Sequence, residues 1–235
     1  MDNKKKSFSI LILFLITILY LGNGCQNKKT VNDNHSDFYL LIHKTELSLP
    51  NDTLTLTWFN KYNESFSDTL IKQTGGYSIQ GKIPYPVKGF LESTQSREYF
   101  PFVLHNDTVI INLTDRHLYN SKIERSDLNK EWQNIVITSE KNYKKINYLF
   151  PKIQKARLEN NHQALEAIYQ EIENIKNEQK IFLLDYVENH SQSKLNPIIL
   201  NDLYLNYPKD SLLIKSKVPL INETDKIGLI EELLD

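Results

Sequence analysis

Two periodicities divide the chain. From Phe38 to Arg125 the apolar residues come in short runs, rich in β-branched and aromatic side chains, with turn signals about every 8 to 12 residues. This rhythm predicts strands at Phe38–Leu47, Thr53–Trp58, Asp68–Gln73, Tyr77–Ile83, Lys88–Ser93, Tyr99–Leu104, Thr108–Leu113 and Lys122–Arg125. The turns fall at Leu49-Pro50-Asn51-Asp52, Gly75-Gly76, Pro84-Tyr85-Pro86 and His105-Asn106-Asp107, all residue types that favour turns.

Past residue 127 the apolar positions recur at three- and four-residue steps instead. Between Ala164 and Val187, Leu165, Ile168, Ile172 and Ile175 make one stripe while Glu171, Glu173 and Glu178 cover other faces, the pattern of a helix packed on one side. Glu140–Leu158 carries a second stripe but contains Pro151, which predicts a kink or a split. A third helix is expected over Asn196–Tyr204 with Pro197 in its first turn, and a fourth over Asp225–Leu234, capped by Thr224. The expected fold class is therefore α+β: an antiparallel β-sandwich or barrel-like domain over 37–127, then a helical domain of about four helices over 128–235.

The N-terminus follows neither rhythm. Lys4, Lys5 and Lys6 precede an uncharged stretch whose apolar core, Ile10 to Leu21, is about a dozen residues long. A bilayer-spanning helix needs roughly 20. Directly after it stands Leu21-Gly22-Asn23-Gly24-Cys25, which resembles a lipobox, although Gly22 stands where an aliphatic residue is usual. The resemblance implies a signal peptide over 1–24 and lipid on Cys25, the sole cysteine of the chain. A single thiol can form no internal disulfide, so acylation gives it a role. The polar stretch 25–36 reads as a tether.

Removing Met1–Gly24 takes away three lysines and Asp2, leaving 25 basic and 28 acidic residues. A chain so balanced offers no basic excess for nucleic-acid phosphates. The expected location is the cell envelope, facing the periplasm, with the membrane as partner through the lipid anchor and a further envelope protein as a candidate partner.

Several segments together resemble a known family. They are Gly76-Tyr77-Ser78-Ile79-Gln80-Gly81-Lys82-Ile83, Phe102-Val103-Leu104-His105-Asn106-Asp107-Thr108-Val109-Ile110-Ile111, Arg125-Ser126-Asp127-Leu128-Asn129 and Phe182 to His190. In this order, behind a lipoprotein signal, they are similar to the N-terminal uncharacterised domain of Bacteroidota thiol-disulfide interchange lipoproteins, in which a thioredoxin domain with a Cys-x-x-Cys site follows. This sequence holds no such pair, and dithiol exchange needs a second thiol to resolve the mixed disulfide. The resemblance implies targeting and a β domain rather than catalysis. Two readings follow: a non-catalytic envelope lipoprotein whose β domain binds or positions a partner, or an accessory or truncated relative of the interchange proteins that works with a separate thioredoxin-fold protein.

Other chemistry is sparse. His35, His43, His105, His117, His162 and His190 never fall at two-ligand spacing, and no phosphate-binding loop or nucleophile elbow is present, so neither a cofactor nor a metal is implied. Asn51-Asp52-Thr53-Leu54, Asn106-Asp107-Thr108-Val109, Asp68-Thr69-Leu70 and Asp210-Ser211-Leu212 resemble the Asp-(Ser/Thr)-apolar acceptor of Bacteroidota O-glycosylation, and they also suit an Asx turn opening a strand. The aromatic residues of the β half predict core packing, with some left to face outward.

Overall fold

The computed structural model describes residues 38–44, 53–115 and 117–235. Cys25, the signal region and the tether lie outside them, as do residues 45–47 of the first expected strand. Among the described residues, nine strands form two sheets. One holds β1 (Phe38–Lys44), β4 (Ile71–Gln73), β5 (Gly76–Gly81), β8 (Thr108–Leu113) and β9 (Lys122–Arg125) in the order β4-β5-β1-β8-β9. The other holds β2 (Leu54–Phe59), β3 (Ser65–Thr69), β6 (Val87–Ser93) and β7 (Tyr99–Leu104) in the order β3-β2-β6-β7. All neighbours are antiparallel except β1 and β8, which run parallel with Leu41 opposite Ile110.

Alternation places Leu40, Ile42, Tyr77, Val109 and Ile111 of the first sheet against Leu54, Leu56, Leu91, Phe102 and Leu104 of the second, all essentially without solvent contact. Each such aliphatic or aromatic side chain contributes roughly 1.5 to 3 kcal/mol by burial. The α+β class and its sandwich of sheets are thus observed.

One expected strand divides. Asp68–Gln73 supplies both β3, paired with β2, and β4, paired with β5. Between them Leu70 is buried and donates its N–H to the Leu54 carbonyl at 2.9 Å, so the chain crosses from sheet to sheet at this residue. The turn that follows needs glycine twice: Gly75 has φ +87°, and a Cβ on Gly76 would stand 1.8 Å from the Ile42 carbonyl oxygen.

Three asparagines hold backbone that no strand or helix pairs. Asn129, fully buried, accepts from Val103 N–H at 2.7 Å and donates to Val103 C=O at 2.9 Å, satisfying the outward groups of edge strand β7. Pro101 shares that outward register and has no N–H to satisfy. Asn106 treats Ile83 in the same way, at 3.2 and 2.6 Å. Asn201 donates to Gly228 C=O at 2.8 Å and accepts from Ile230 N–H at 3.1 Å.

The last clamp explains why the fourth expected helix does not form. Its backbone groups are taken by Asn201, so Asp225–Leu234 becomes a 3-10 turn (Lys226–Gly228), an extended step at Leu229 and Ile230, and a short helix α5 (Glu231–Leu234). Thr224 caps nothing: Asp225 precedes the 3-10 turn and makes no side-chain cap bond. The step buries Leu229, Ile230 and Leu233 and leaves Ile227 and Leu234, which a continuous helix would set on its apolar stripe, exposed.

The other helices are α1 (Asp127–Leu158), α2 (His162–Asn189), α3 (Asn196–Asn206) and α4 (Ser211–Lys215), the last of which the pattern did not predict. Helix α1 begins thirteen residues before its expected start at Glu140 and passes through Pro151 without dividing. Pro151 is exposed, and the turns on either side are fastened by Leu149 and Ile153, buried against Ile168 and Ile175 of α2. The hairpin between α1 and α2 closes through Asn160, whose φ of 50° allows Asn161 N–H to reach the Ala156 carbonyl at 2.8 Å. Asn161 then caps α2 by accepting from Ala164 N–H at 3.0 Å.

The near halves of α1 and α2 pack with α3 and Val103 in a second core that includes Ile135, Leu184, Val187, Leu195, Leu200 and Leu203. Lys88 of β6 and Asp202 of α3, 2.5 Å apart, tie this core to the sandwich. The far halves share a third, smaller core drawn from α1 and α2 alone, so the stripe Leu165, Ile168, Ile172 and Ile175 is covered by α1.

Candidate functional site

The strand-to-helix junction is the most elaborated polar centre. Ser126 precedes α1, and its Oγ accepts from Asn129 N–H at 3.2 Å and from Asn129 Nδ2 at 3.0 Å. Both lone pairs are then used, so its single proton points to His105 Nε2, 2.9 Å away. His105 must accept there, which places its ring proton on Nδ1. Burial pushes the His105 pKa below its ordinary 6.5, nearby Asp107 opposes this and Lys194 reinforces it. The centre joins β7, the β7–β8 turn and the start of α1. Sequence reasoning placed Ser126 and Asn129 in a motif and His105 in a turn, with no spacing to join them. Of the others described, His43, His117, His162 and His190 are exposed.

A second centre lies at the C-terminal end of α2, beside the first turns of α1. Tyr186 donates to Glu131, stands 3.0 Å from Ser193 Oγ, and stacks on His190 with ring centroids 4.4 Å apart. Burial, then the bond to Glu131, pushes the Tyr186 pKa above 10, so the hydroxyl is a held donor and not a nucleophile. Beside it Glu131, Asn189, His190, Ser191, Gln192 and Ser193 line a depression of about 380 Å³ that is open to solvent. Bound small molecules are ordinarily held in concave, largely enclosed sites, which this is not.

The seam between sandwich and helices is tighter. Tyr85, Lys88, Asn201, Asp202 and Gly228 border a space of about 20 Å³, enough for one water. Above it the Tyr62 hydroxyl donates to Glu231, and that bond is the main reason its pKa is pushed up to about 12. Among the described residues, no group of three or more His, Cys, Asp or Glu side chains converges as a metal site would require, and no helix is long and apolar enough to cross a membrane.

The Asp-(Ser/Thr) segments are dispersed. Asp68 accepts from Thr69 N–H at 2.8 Å and Asp107 from Thr108 N–H at 2.7 Å, local bonds of the kind that shape a turn. Thr69 is exposed, while Thr108 and Ser211 are half-buried. Of the aromatic residues, Tyr77, Phe100 and Phe102 are core, whereas Tyr62 and Phe66 are exposed, Phe66 stacking on Trp58 with centroids 5.7 Å apart. The clamp of Asn106 on Ile83 and that of Asn201 escaped sequence reasoning; the available signal was a polar residue, Asn201, amid the apolar run of α3. Comparison of the chain with protein-family models and with curated proteins gives no match to either.

Proposed function

We propose that this protein is a lipid-anchored component of the cell envelope whose sandwich and helices bind or position a partner and perform no chemistry of their own. The observation that carries the reading is Cys25, placed directly after a charged segment and an apolar core shorter than a membrane span. Several acyl chains on such a cysteine hold it to the membrane, since each buried methylene contributes about 0.8 kcal/mol. The polar centres described above fit this reading, because their groups are engaged in fastening elements together: Tyr186 to Glu131, His105 to Ser126 and Asn129 to Val103.

The test is Cys25→Ala in cells fed a labelled fatty acid. The parent chain should take up label and partition into detergent, and the variant should do neither. Label retained by the variant overturns the anchor assignment.

A further inference from the structure

The α1–α2 hairpin carries two charged rows of opposite sign. On α1, Lys141, Lys145, Tyr148, Lys152 and Lys155 follow one another at four- and three-residue steps. On α2, Glu171, Asn174, Glu178, Ile181 and Asp185 do the same. At 3.6 residues per turn each set keeps to one flank of its helix. All ten residues are exposed, including Tyr148 at 77% and Ile181 at 48%.

Both rows lie on the same broad side of the hairpin, because Lys145 and Glu178 meet across it at 3.0 Å. The bond from Asn142 to Gln179 at 2.9 Å fixes the antiparallel register, and one heptad beyond the Lys145–Glu178 pair it sets Lys152 level with Glu171. The body of the molecule touches the opposite flanks, through Asn129 on α1 and Lys180 on α2, so this side faces away from it. Lys145 and Glu178 pair within the chain, whereas Lys141, Lys152, Glu171 and Asp185 enter no ion pair among the described residues.

We infer that this face is the docking surface for a second copy of the chain. A two-fold axis parallel to the hairpin places the lysine row of each copy over the carboxylate row of the other, at equal height and in antiparallel direction, and makes both contacts at once. Self-complementarity of this kind is what an isologous interface requires. The result is a four-helix assembly with opposite charges flanking Tyr148, as the charged positions beside a coiled-coil seam set partner and register. An anionic bilayer is a poorer occupant, since the carboxylate row lies beside the lysines and repels it.

The test uses the full chain purified in detergent, with sedimentation and chemical cross-linking as readouts. The parent should dimerise, and less tightly as salt rises. Lys145→Glu with Lys152→Glu, or Glu171→Lys with Glu178→Lys, should each weaken dimerisation about tenfold or more by placing like charges opposite each other. Mixing the two double variants should restore a mixed dimer, as should combining all four changes in one chain, which also shows that loss was not misfolding. A parent that stays monomeric, a dimer indifferent to the reversals, or a monomer held by its lysine row to phosphatidylglycerol vesicles overturns the inference.

Discussion

The sandwich and the far half of the helical hairpin are stabilised on different scales, although both are made of regular, well-patterned elements. The sandwich draws eighteen buried residues into its core, from both sheets and from the 3-10 turn at Leu118. The far hairpin has six, Ile146, Leu149, Ile153, Ala156, Ile168 and Ile175, contributed by two helices that cover each other and nothing else. A side chain in the first region is enclosed by residues distant in sequence, and in the second by one neighbouring helix. Cooperative stability belongs to the first, and local opening to the second.

The largest effect should come from the point where two strands approach most closely. At Gly76 an added Cβ meets the Ile42 carbonyl oxygen at 1.8 Å, and neither partner is a flexible side chain that can yield. Gly76→Ala should destabilise the whole protein by about 3 kcal/mol or more, through displaced β1–β5 pairing. Equilibrium denaturation with a strand-sensitive signal checks this, and a loss below about 1 kcal/mol contradicts it.

A smaller and more local effect is expected in the hairpin. Leu149→Ala removes a buried side chain from a core of six and should cost roughly 2 to 3 kcal/mol. Because the far hairpin shares no core residue with the sandwich, the loss should appear as faster amide exchange over 143–175 while β1, β5 and β8 keep their protection. Equal loss of protection in the strands would show that the two regions unfold together, and the comparison would fail.

Legibility in the sequence follows the same division. Strand alternation and helical periodicity are local properties, so the expected runs fall on β1, β2 and β5–β9 and on α1, α2 and α3 within a few residues, apart from the early start of α1. What the pattern missed depends on contacts between distant segments. The division at Leu70 depends on two separate sheets competing for one run of residues. The broken fourth helix depends on Asn201, some thirty residues upstream, outcompeting the helical hydrogen bonds of Gly228 and Ile230. Pro151 survives inside α1 because packing on α2 overrides its local preference. In the candidate site, Ser126 and Asn129 stood out only within the Arg125–Asn129 segment that carries the family resemblance, and their partner Val103 did not, since an amide gripping an edge strand leaves no periodic signature.

The smallest effect should be one of pH, and it arises where the two regions join. His105 is held neutral by its setting: Ser126 Oγ already accepts twice from Asn129, so it has a proton to give and no lone pair for an imidazolium N–H. Burial lowers the folded pKa below the ordinary 6.5, with Asp107 opposing and Lys194 supporting the shift. The unfolded chain therefore binds the proton more readily, and stability rises with pH across the interval between the two pKa values. The contribution is fully present above 6.5 and is lost as pH falls from there through the folded pKa. Protonation should force Ser126 to release Asn129, loosening the start of α1 and its grip on Val103. His105→Gln, whose amide can accept from Ser126 without titrating, should flatten this part of the pH dependence. Comparing denaturation midpoints of the two proteins at about pH 5 and about pH 8 gives the measurement, since that window brackets ordinary histidine titration. Parallel profiles for parent and variant would show that the junction tolerates the imidazolium, and the proton assignment at Ser126 would then be reversed.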